Sequence, residues 1–192
     1  MKNCCLLLLT LFMNAQTDGK IRFKNPSFED QPRESASPEA WQSFTLDSTP
    51  DILPGAWGVT FGPQHGNTCV GLVTRDDGTR EDVGQSLPEV LKAGTCYTFS
   101  VYLAHAPKYV GYNHPTRLRI WGSGSGGGKE IMLASSPLID HADWRLYKFQ
   151  FVPSKNVQTI TFEAYFAPGT TFFYKGNIVL DNCSAIERCD KA

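Results

Sequence analysis

The sequence predicts an all-β protein in which two sheets pack as a sandwich. Several segments of the 192-residue chain alternate apolar and polar residues, which is the two-residue period of a strand with one buried face. Turn-forming residues separate these segments, and the chain has 17 glycines and 12 prolines. No segment of helical length has an apolar period of 3.6 residues. Strands with one apolar face bury those faces by packing in two layers, which predicts the sandwich.

The longest alternating segment spans residues 95–106, where every second residue from Tyr97 to Leu103 is apolar. Residues 88–92 are predicted to form a short helical turn. The glycine-rich segment 122–128 lies between two strand signals and predicts a mobile loop within one domain. Shorter alternating runs predict further strands, in chain order, at 70–72, 117–121, 147–151, 160–166 and 178–180.

The first residues predict an export signal. Lys2 precedes an apolar run at 4–13, and Ala15 is a small residue at a suitable cleavage point. We therefore predict a signal peptide at 1–15 and a single β-sandwich domain at 16–192, in a protein that is secreted, periplasmic or on the cell surface. No later stretch approaches the ~20 apolar residues of a membrane-spanning helix, so no membrane span is expected.

Charge and cysteine content narrow the classes of partner and fold. The formal net charge of -1 provides no electrostatic basis for binding nucleic acid. Removal of the signal peptide leaves Cys69, Cys96, Cys183 and Cys189. In an exported chain four cysteines permit two disulfides in three pairings, and a Cys183–Cys189 bond would tie the C-terminal tail to the last strand. Buried free thiols are the alternative.

The polar faces of the predicted strands combine aromatic and charged residues. Pyranose rings stack on aromatic side chains, and their hydroxyl groups suit arginine and glutamate. If three of the predicted strands share a sheet, one patch results. The alternative is that Trp121 and Tyr165 are buried under loops. The patch would contain Tyr102, Arg117, Arg119, Trp121, Glu163 and Tyr165.

The remaining tryptophans and the loops give further predictions. Trp57 and Tyr112 lie on loops bounded by glycine and proline, where binding residues concentrate, so they form a second candidate binding site. Trp41 and Trp144 are predicted to pack in the core.

Four motifs occur in one order along the chain. They are Asn-Pro-Ser-Phe-Glu-Asp at 25–30 followed by Trp41, Gly-Gln-Ser-Leu at 84–87 followed by Gly-Thr-Cys-Tyr-Thr-Phe at 94–99, Trp-Arg-Leu-Tyr-Lys-Phe at 144–149, and Ile-Val-Leu-Asp-Asn at 178–182. Their order and spacing resemble those of jelly-roll carbohydrate-binding modules of the cellulose- and xylan-binding type, which are galactose-binding-like β-sandwiches of secreted bacterial proteins. The resemblance implies a two-sheet jelly-roll β-sandwich, and it is less specific to a ligand than to the fold.

The resemblance also implies a structural calcium ion near the chain ends, held by Glu29 and Asp181 together with backbone carbonyls. Calcium takes several hard oxygen ligands and tolerates carbonyls. An ion at this position would join the first and last strands, whose ends otherwise fray. The alternative is that both are carboxylates of turns or of the rim.

These features favour a secreted, non-catalytic binding protein whose partner is a glycan or polysaccharide. The four histidines lie in separate segments, without the spacing of a nucleophile motif or a metal site. A glycoside hydrolase needs two opposed carboxylates, and Glu163 is the only one predicted on the binding face. The acidic run at 76–82 is assigned to a solvated turn. The alternative is an extracellular protein-interaction domain that contacts other cell-surface proteins, and a glycoside hydrolase is the least favoured.

Overall fold

A computed structural model describes residues 19–189, so the predicted signal peptide lies outside the described residues. Within 19–189 no helix has both the length and the apolar character needed to cross a membrane. A 3-10 turn spans Ala56–Gly58. The strands are β1 (Asp51–Leu53), β2 (Cys69–Thr74), β3 (Asp82–Leu91), β4 (Tyr97–Ala104), β5 (His114–Pro115), β6 (Arg117–Ser123), β7 (Ile131–Ser135), β8 (Arg145–Phe151), β9 (Val157–Tyr165), β10 (Gly176–Asp181) and β11 (Glu187–Arg188).

The strands form two sheets. One has seven strands, with the order β1-β2-β10-β4-β11, β8 beside β4, and β5 beside β10. The other has four strands in the order β3-β9-β6-β7. The strand pairs between residues 19 and 189 are antiparallel except the short parallel pair of β5 with β10. The predicted all-β sandwich of two sheets is confirmed, because the strands with one apolar face do pack those faces together.

The aromatic core lies between the two sheets. Trp41 is 6% exposed, its ring centroid lies 4.6 Å from that of Phe28, and its indole Nε1 donates to the Asn25 carbonyl at 2.9 Å. Phe99 of the seven-stranded sheet stacks on Phe162 of the four-stranded sheet, with ring centroids 5.9 Å apart. The prediction that Trp41 belongs to the core is therefore confirmed.

Trp144 is only partly buried and does not join this core. It packs against Phe61, with ring centroids 5.1 Å apart, beside a smaller buried cluster, and its indole Nε1 donates to the Gly62 carbonyl at 2.9 Å. The core prediction for Trp144 is thus only partly right.

The helical turn predicted at 88–92 is wrong, because most of this segment belongs to β3. The register between β3 and β9 shifts between Ser86 and Leu91. Pro88 lies inside this irregular stretch, where its missing N–H does not interrupt a ladder of hydrogen bonds. Of the glycine-rich segment 122–128, Gly122 and Ser123 belong to β6, and the remainder leads towards β7, which pairs with β6 in the same sheet.

One disulfide joins Cys96 to Cys189 across 93 positions of sequence. The suggested Cys183–Cys189 bond is wrong, because β11 pairs with β4 and places Cys189 beside Cys96; the Cys189 amide donates to the Cys96 carbonyl at 3.0 Å. Cys69 and Cys183 are buried free thiols. Burial raises the pKa of the Cys183 thiol well above its usual range, so it stays protonated.

Candidate functional site

The outer face of the four-stranded sheet carries five of the six residues of the predicted patch. In the pairing of β6 with β9, Arg117 is opposite Tyr165 and Arg119 is opposite Glu163. Trp121 follows two residues later on the same face of β6. Leu118 and Ile120, which alternate with them, are fully buried in the core. Period-two alternation therefore brings these five polar and aromatic side chains together.

Tyr102 does not share this face. It lies on β4 in the seven-stranded sheet, where it pairs with Leu146 and Asp181. The six-residue patch required all three strands to share one sheet, and β4 does not join the others, because β8, β10 and β11 occupy both of its edges. Alternation within a strand shows which residues share a face of that strand, but it does not show which sheet the strand joins.

Glu163 is the centre of the charged network on this face. Its side chain is 1% exposed. One carboxylate oxygen accepts hydrogen bonds from Arg80 Nε at 3.1 Å and from Lys129 Nζ at 2.7 Å. The other accepts the indole N–H of Trp121 at 2.7 Å. Glu163 therefore fixes two cations and the orientation of an aromatic ring.

Asp82 is a second buried carboxylate on this face, directly opposite Glu163 in the pairing of β3 with β9. Lys129 Nζ lies 3.0 Å from Asp82 Oδ2, and the Phe44 amide donates to Oδ1 at 2.8 Å. The Thr45 hydroxyl also donates to Asp82. The assignment of the acidic run at 76–82 to a solvated turn is wrong for Glu81 and Asp82, which are both buried. β3 begins at Asp82, and the loop that contains Phe44 and Thr45, here called the Phe44 loop, bonds to its carboxylate.

Three guanidinium groups surround the Tyr165 ring. The distance from the guanidinium Cζ atom to the centroid of the Tyr165 ring is 3.2 Å for Arg119, 4.9 Å for Arg80 and 5.4 Å for Arg117. Cations attract the electron-rich faces of aromatic rings, so this ring helps to hold the three side chains together. Trp121 lies at the edge of the group, 6.0 Å from the Arg119 Cζ atom.

Among the residues that the structure describes, Arg117 and Arg119 have no ionic partner, whereas Arg80 pairs with Glu163. The Nε atoms of both are buried and have no hydrogen-bond partner. Burial, and then the neighbouring charge of Arg119, lower the pKa of Arg117, which remains positively charged. These two residues thus present donors that the protein itself does not satisfy.

We call these residues of the outer face the sheet-face cluster. Trp121 and Tyr165 are both half-buried. Their exposure thus lies between the two alternatives from sequence, an open patch and a cluster buried under loops. Phe44 packs against Gly127 so closely that a Cβ atom there would lie 1.9 Å from the Phe44 ring. The Phe44 loop and the glycine-rich loop thus cover one end of the face. The cluster contains Arg80, Asp82, Arg117, Arg119, Trp121, Lys129, Glu163 and Tyr165.

An apolar groove of about 270 Å³ lies at the other end, where β6 begins. Arg117 is two residues from Pro115 of the groove wall, and the Tyr174 hydroxyl donates to the Pro115 carbonyl at 3.0 Å. Arg117 pairs with Tyr165, which lies two residues before Ala167 of the groove wall, so the groove adjoins the cluster. The groove is lined by His114, Pro115, Leu138, Ala167 and Tyr174.

Trp57 and Tyr112, the loop candidates, meet elsewhere, near the β1 edge of the seven-stranded sheet. Their rings are nearly perpendicular, with centroids 6.3 Å apart. They line a cavity of about 20 Å³ together with Asp51 and Glu81. This space suffices for about one water molecule, so a sugar ring does not fit inside it.

Asp51 and Glu81 are buried acids that sequence reasoning missed. Glu81 forms an ion pair with Arg75 and accepts the Val73 amide at 3.1 Å. The Tyr109 hydroxyl donates to Asp51. Burial raises the pKa of Asp51, and it raises that of Glu81 to about 7 despite the Arg75 charge. A single sequence gives little signal for them, because charged residues at a strand start usually face solvent.

Glu29 and Asp181, the residues predicted for calcium, both bind the turn at 64–67. Asp181 Oδ2 accepts the amides of Gln64 at 2.7 Å and His65 at 2.9 Å, and Oδ1 accepts the Ser27 hydroxyl at 2.7 Å. Both oxygens of Glu29 accept an amide of the same turn, at 3.1 and 3.0 Å.

These contacts do not fit a calcium site. The donor hydrogens point at the carboxylate oxygens, whereas calcium needs several oxygen lone pairs directed at one point. Within residues 19–189, no group of three or more histidine, cysteine, aspartate or glutamate side chains is placed to hold a metal ion. Calcium at Glu29 and Asp181 stays a prediction from the resemblance alone.

No protein-family model and no curated protein matches this chain in sequence. Solved structures do match in fold. A xylan-binding CBM22-1 domain from Paenibacillus barcinonensis Xyn10C has a TM-score of 0.57 at 14% identity, over 91% of this chain and 97% of that chain. A cyclase from Fischerella sp. TAU has a TM-score of 0.58 at 13% identity, over 90% and 98%.

The K3 cleaved adhesin domain of Lys-gingipain from Porphyromonas gingivalis w83 also matches, with a TM-score of 0.54 at 15% identity, over 88% of this chain and 98% of that chain. At these identities the likeness shows a shared fold and no more. The fold is that of the jelly-roll carbohydrate-binding modules that the sequence motifs resemble. Binding modules, an adhesin domain and a cyclase share this fold, so the fold does not determine function, and function must be inferred from the site.

Proposed function

We propose that this protein binds carbohydrate without catalysis, through the sheet-face cluster. The observation that carries the proposal is the convergence of Arg117, Arg119, Trp121, Glu163 and Tyr165 on one sheet face. The Trp121 ring is half-buried and held by its bond to Glu163. A rigid, partly exposed ring surrounded by charged hydrogen-bonding groups suits a pyranose, which has apolar ring faces and polar edges.

The use of the two carboxylates supports a non-catalytic role. A glycoside hydrolase needs one carboxylic acid that protonates the leaving group and one carboxylate that is free to act as base or nucleophile. Each oxygen of Glu163 and Asp82 already accepts a hydrogen bond, and Lys129 contacts both residues. Both side chains are also buried, which supports a role in holding the cluster together and not in attacking a glycosidic bond.

We also propose that the protein acts outside the cytoplasm. The apolar N-terminal segment has the order of charge, apolar run and small residue that a signal peptide has. The Cys96–Cys189 disulfide supports this location, because such bonds persist mainly in oxidising compartments.

The protein-interaction alternative has one observation in its favour. Phe172 is 82% exposed and Phe173 is 56% exposed, and they are adjacent on the loop before β10. Phe173 stacks on Phe166, with ring centroids 5.0 Å apart. A pair of exposed phenylalanines can anchor a protein interface. This alternative gains weight if the folded protein binds no glycan.

The test compares two tryptophan variants on a panel of soluble polysaccharides, by affinity electrophoresis and calorimetry. Trp121→Ala is expected to weaken binding at least about tenfold, because it removes the stacking surface of the cluster. Trp57→Ala is the matched control, since it removes an indole from the loop candidate site. Loss of binding in Trp57→Ala alone would place the site at the loops, and no binding by folded wild-type protein would overturn the proposal.

A further inference from the structure

We infer that the ligand of the sheet-face cluster is an anionic glycan, whose carboxylate or sulfate group binds Arg117 and Arg119 together. This inference rests on the proposed carbohydrate function and names the class of glycan. Three observations carry it: a local excess of positive charge, two guanidinium groups without ionic partners, and an apolar groove beside them.

The charge of the cluster opposes that of the whole chain. Arg80, Arg117, Arg119 and Lys129 supply four positive charges, and Asp82 and Glu163 supply two negative ones. The cluster thus has a net charge of about +2 on a protein whose formal net charge is -1. An excess of this kind attracts an anion to this face specifically.

The two carboxylates form ion pairs with only two of the four cations in the cluster. Glu163 bonds to Arg80 and Lys129, and Asp82 bonds to Lys129. Within residues 19–189, Arg117 and Arg119 form no ion pair that would neutralise them, and their buried Nε atoms have no hydrogen-bond acceptor. The buried Nε atoms are out of a ligand's reach, but both residues are partly exposed, so an anion can pair with the exposed part of each side chain.

The spacing of the two arginines suits one anionic group. They lie two residues apart on the same face of β6, and both guanidinium groups approach the Tyr165 ring, at 5.4 and 3.2 Å. Guanidinium groups bind carboxylate and sulfate-like oxyanions through paired N–H donors. The Tyr165 ring holds both groups in place before the ligand arrives, which reduces the entropy lost on binding.

The apolar groove favours an anionic group that is carried by a sugar ring. Its wall of His114, Pro115, Leu138, Ala167 and Tyr174 is apolar and begins two residues from Arg117 and from its partner Tyr165. A pyranose ring can lie against such a wall while its acidic substituent meets the arginines. An isolated inorganic anion would make no use of this surface.

The experiment measures binding of the full mature protein to four soluble polymers: polygalacturonate, its carboxyl-reduced form, dextran sulfate and unmodified dextran. We expect binding to at least one anionic polymer, no binding to its neutral partner, and a several-fold loss of affinity between 50 and 300 mM NaCl, at roughly the ionic strengths where charge screening sets in. Preference for polygalacturonate identifies a carboxylate, and preference for dextran sulfate identifies a sulfate. Either result supports the inference.

The variants Arg119→Gln and Arg117→Gln are each expected to lower affinity at least about tenfold, because each removes a paired donor. Lys148→Gln is the matched control: Lys148 is an exposed cation on β8 of the other sheet, and its loss should leave affinity unchanged. Equal losses in all three variants would show unspecific charge attraction and overturn the inference.

Other outcomes separate this inference from the proposed function. Binding of a neutral polysaccharide such as arabinoxylan, lost in Trp121→Ala but unchanged in Arg119→Gln and in salt, would keep the proposed function and overturn the anionic ligand. No binding of any polysaccharide by protein with native near-ultraviolet circular dichroism would overturn both.

Discussion

Glu81 shows how burial controls the charge of a single side chain. It is 1% exposed, and its side chain points to the opposite side of the chain from those of its neighbours Arg80 and Asp82. Arg80 and Asp82 belong to the sheet-face cluster, whereas Glu81 faces Arg75 near the loop site. Three consecutive charged residues thus serve two different networks, because side chains alternate along an extended chain.

The pKa of Glu81 predicts a specific pH dependence of stability. Burial raises it from 4.5 to about 7 in the folded protein, so the folded state holds the proton more tightly than the unfolded chain. The contribution of this group is fully present below pH 4.5 and is lost as the pH rises through 7. We expect the stability advantage of wild type over Glu81→Gln to shrink between pH 5 and pH 7.5, by at most about 1.4 kcal/mol per pH unit.

Urea denaturation at a series of pH values measures this change in the free energy of unfolding. Glu130→Gln is the control: Glu130 is exposed near the glycine-rich loop, so its loss should shift the curve by less than about 0.5 kcal/mol at any pH. A difference between wild type and Glu81→Gln that stays constant from pH 5 to pH 7.5 would contradict the elevated pKa.

At the scale of elements, the pairing of β11 with β4 is the contact that the disulfide secures. β11 consists of only Glu187 and Arg188, and Cys189 follows it directly. So short a strand has few hydrogen bonds of its own, and the bond to Cys96 holds it in register. The disulfide also closes a long loop, which restricts the unfolded chain.

We therefore predict that Cys189→Ser lowers the free energy of unfolding by about 2–5 kcal/mol. Cys96→Ser should have the same effect, and the double variant should be no less stable than either single variant, because both remove one bond. Denaturation in urea, with and without reductant, provides the measurement. Equal stability of the oxidised and reduced wild-type protein would refute the prediction.

The strands of the four-stranded sheet differ in how well their sequences predict them. β6 and β9 each alternate apolar residues with polar ones, so alternation alone indicated both strands and the residues that share each face, although Thr159, Thr161 and Glu163 on the polar face of β9 are also buried. β3 contains Pro88 and a register shift, and β7 is a short edge strand that is only partly buried. Irregular and edge strands depend on their neighbours more than on their own pattern.

At the scale of the whole molecule, the question is what holds the N-terminal region against the last long strand. Asp181 at the end of β10 bonds to Ser27 and to the turn at 64–67, and Glu29 binds the same turn. Amide and hydroxyl donors thus join the N-terminal region to β10, as a calcium ion was predicted to do.

We expect removal of calcium to have little effect on this connection. The melting temperature in excess chelator should differ from that in millimolar calcium by less than about 2 °C, because a ligand stabilises only the state that binds it. Magnesium added in place of calcium controls for ionic strength. A calcium-specific increase of more than about 5 °C would instead support the calcium ion that the resemblance implies.

The sequence by itself determined the fold class, the strands that carry the site, and five of the six residues predicted on the sheet face. Each of these follows from alternation within one segment, which is a local property of an extended chain. The tertiary structure alone decided that Tyr102 belongs to the other sheet, that Asp82 and Lys129 complete the network around Glu163, and that Cys96 pairs with Cys189. Those contacts join residues far apart in sequence, and their partners are selected by the packing of two sheets, which no single segment encodes.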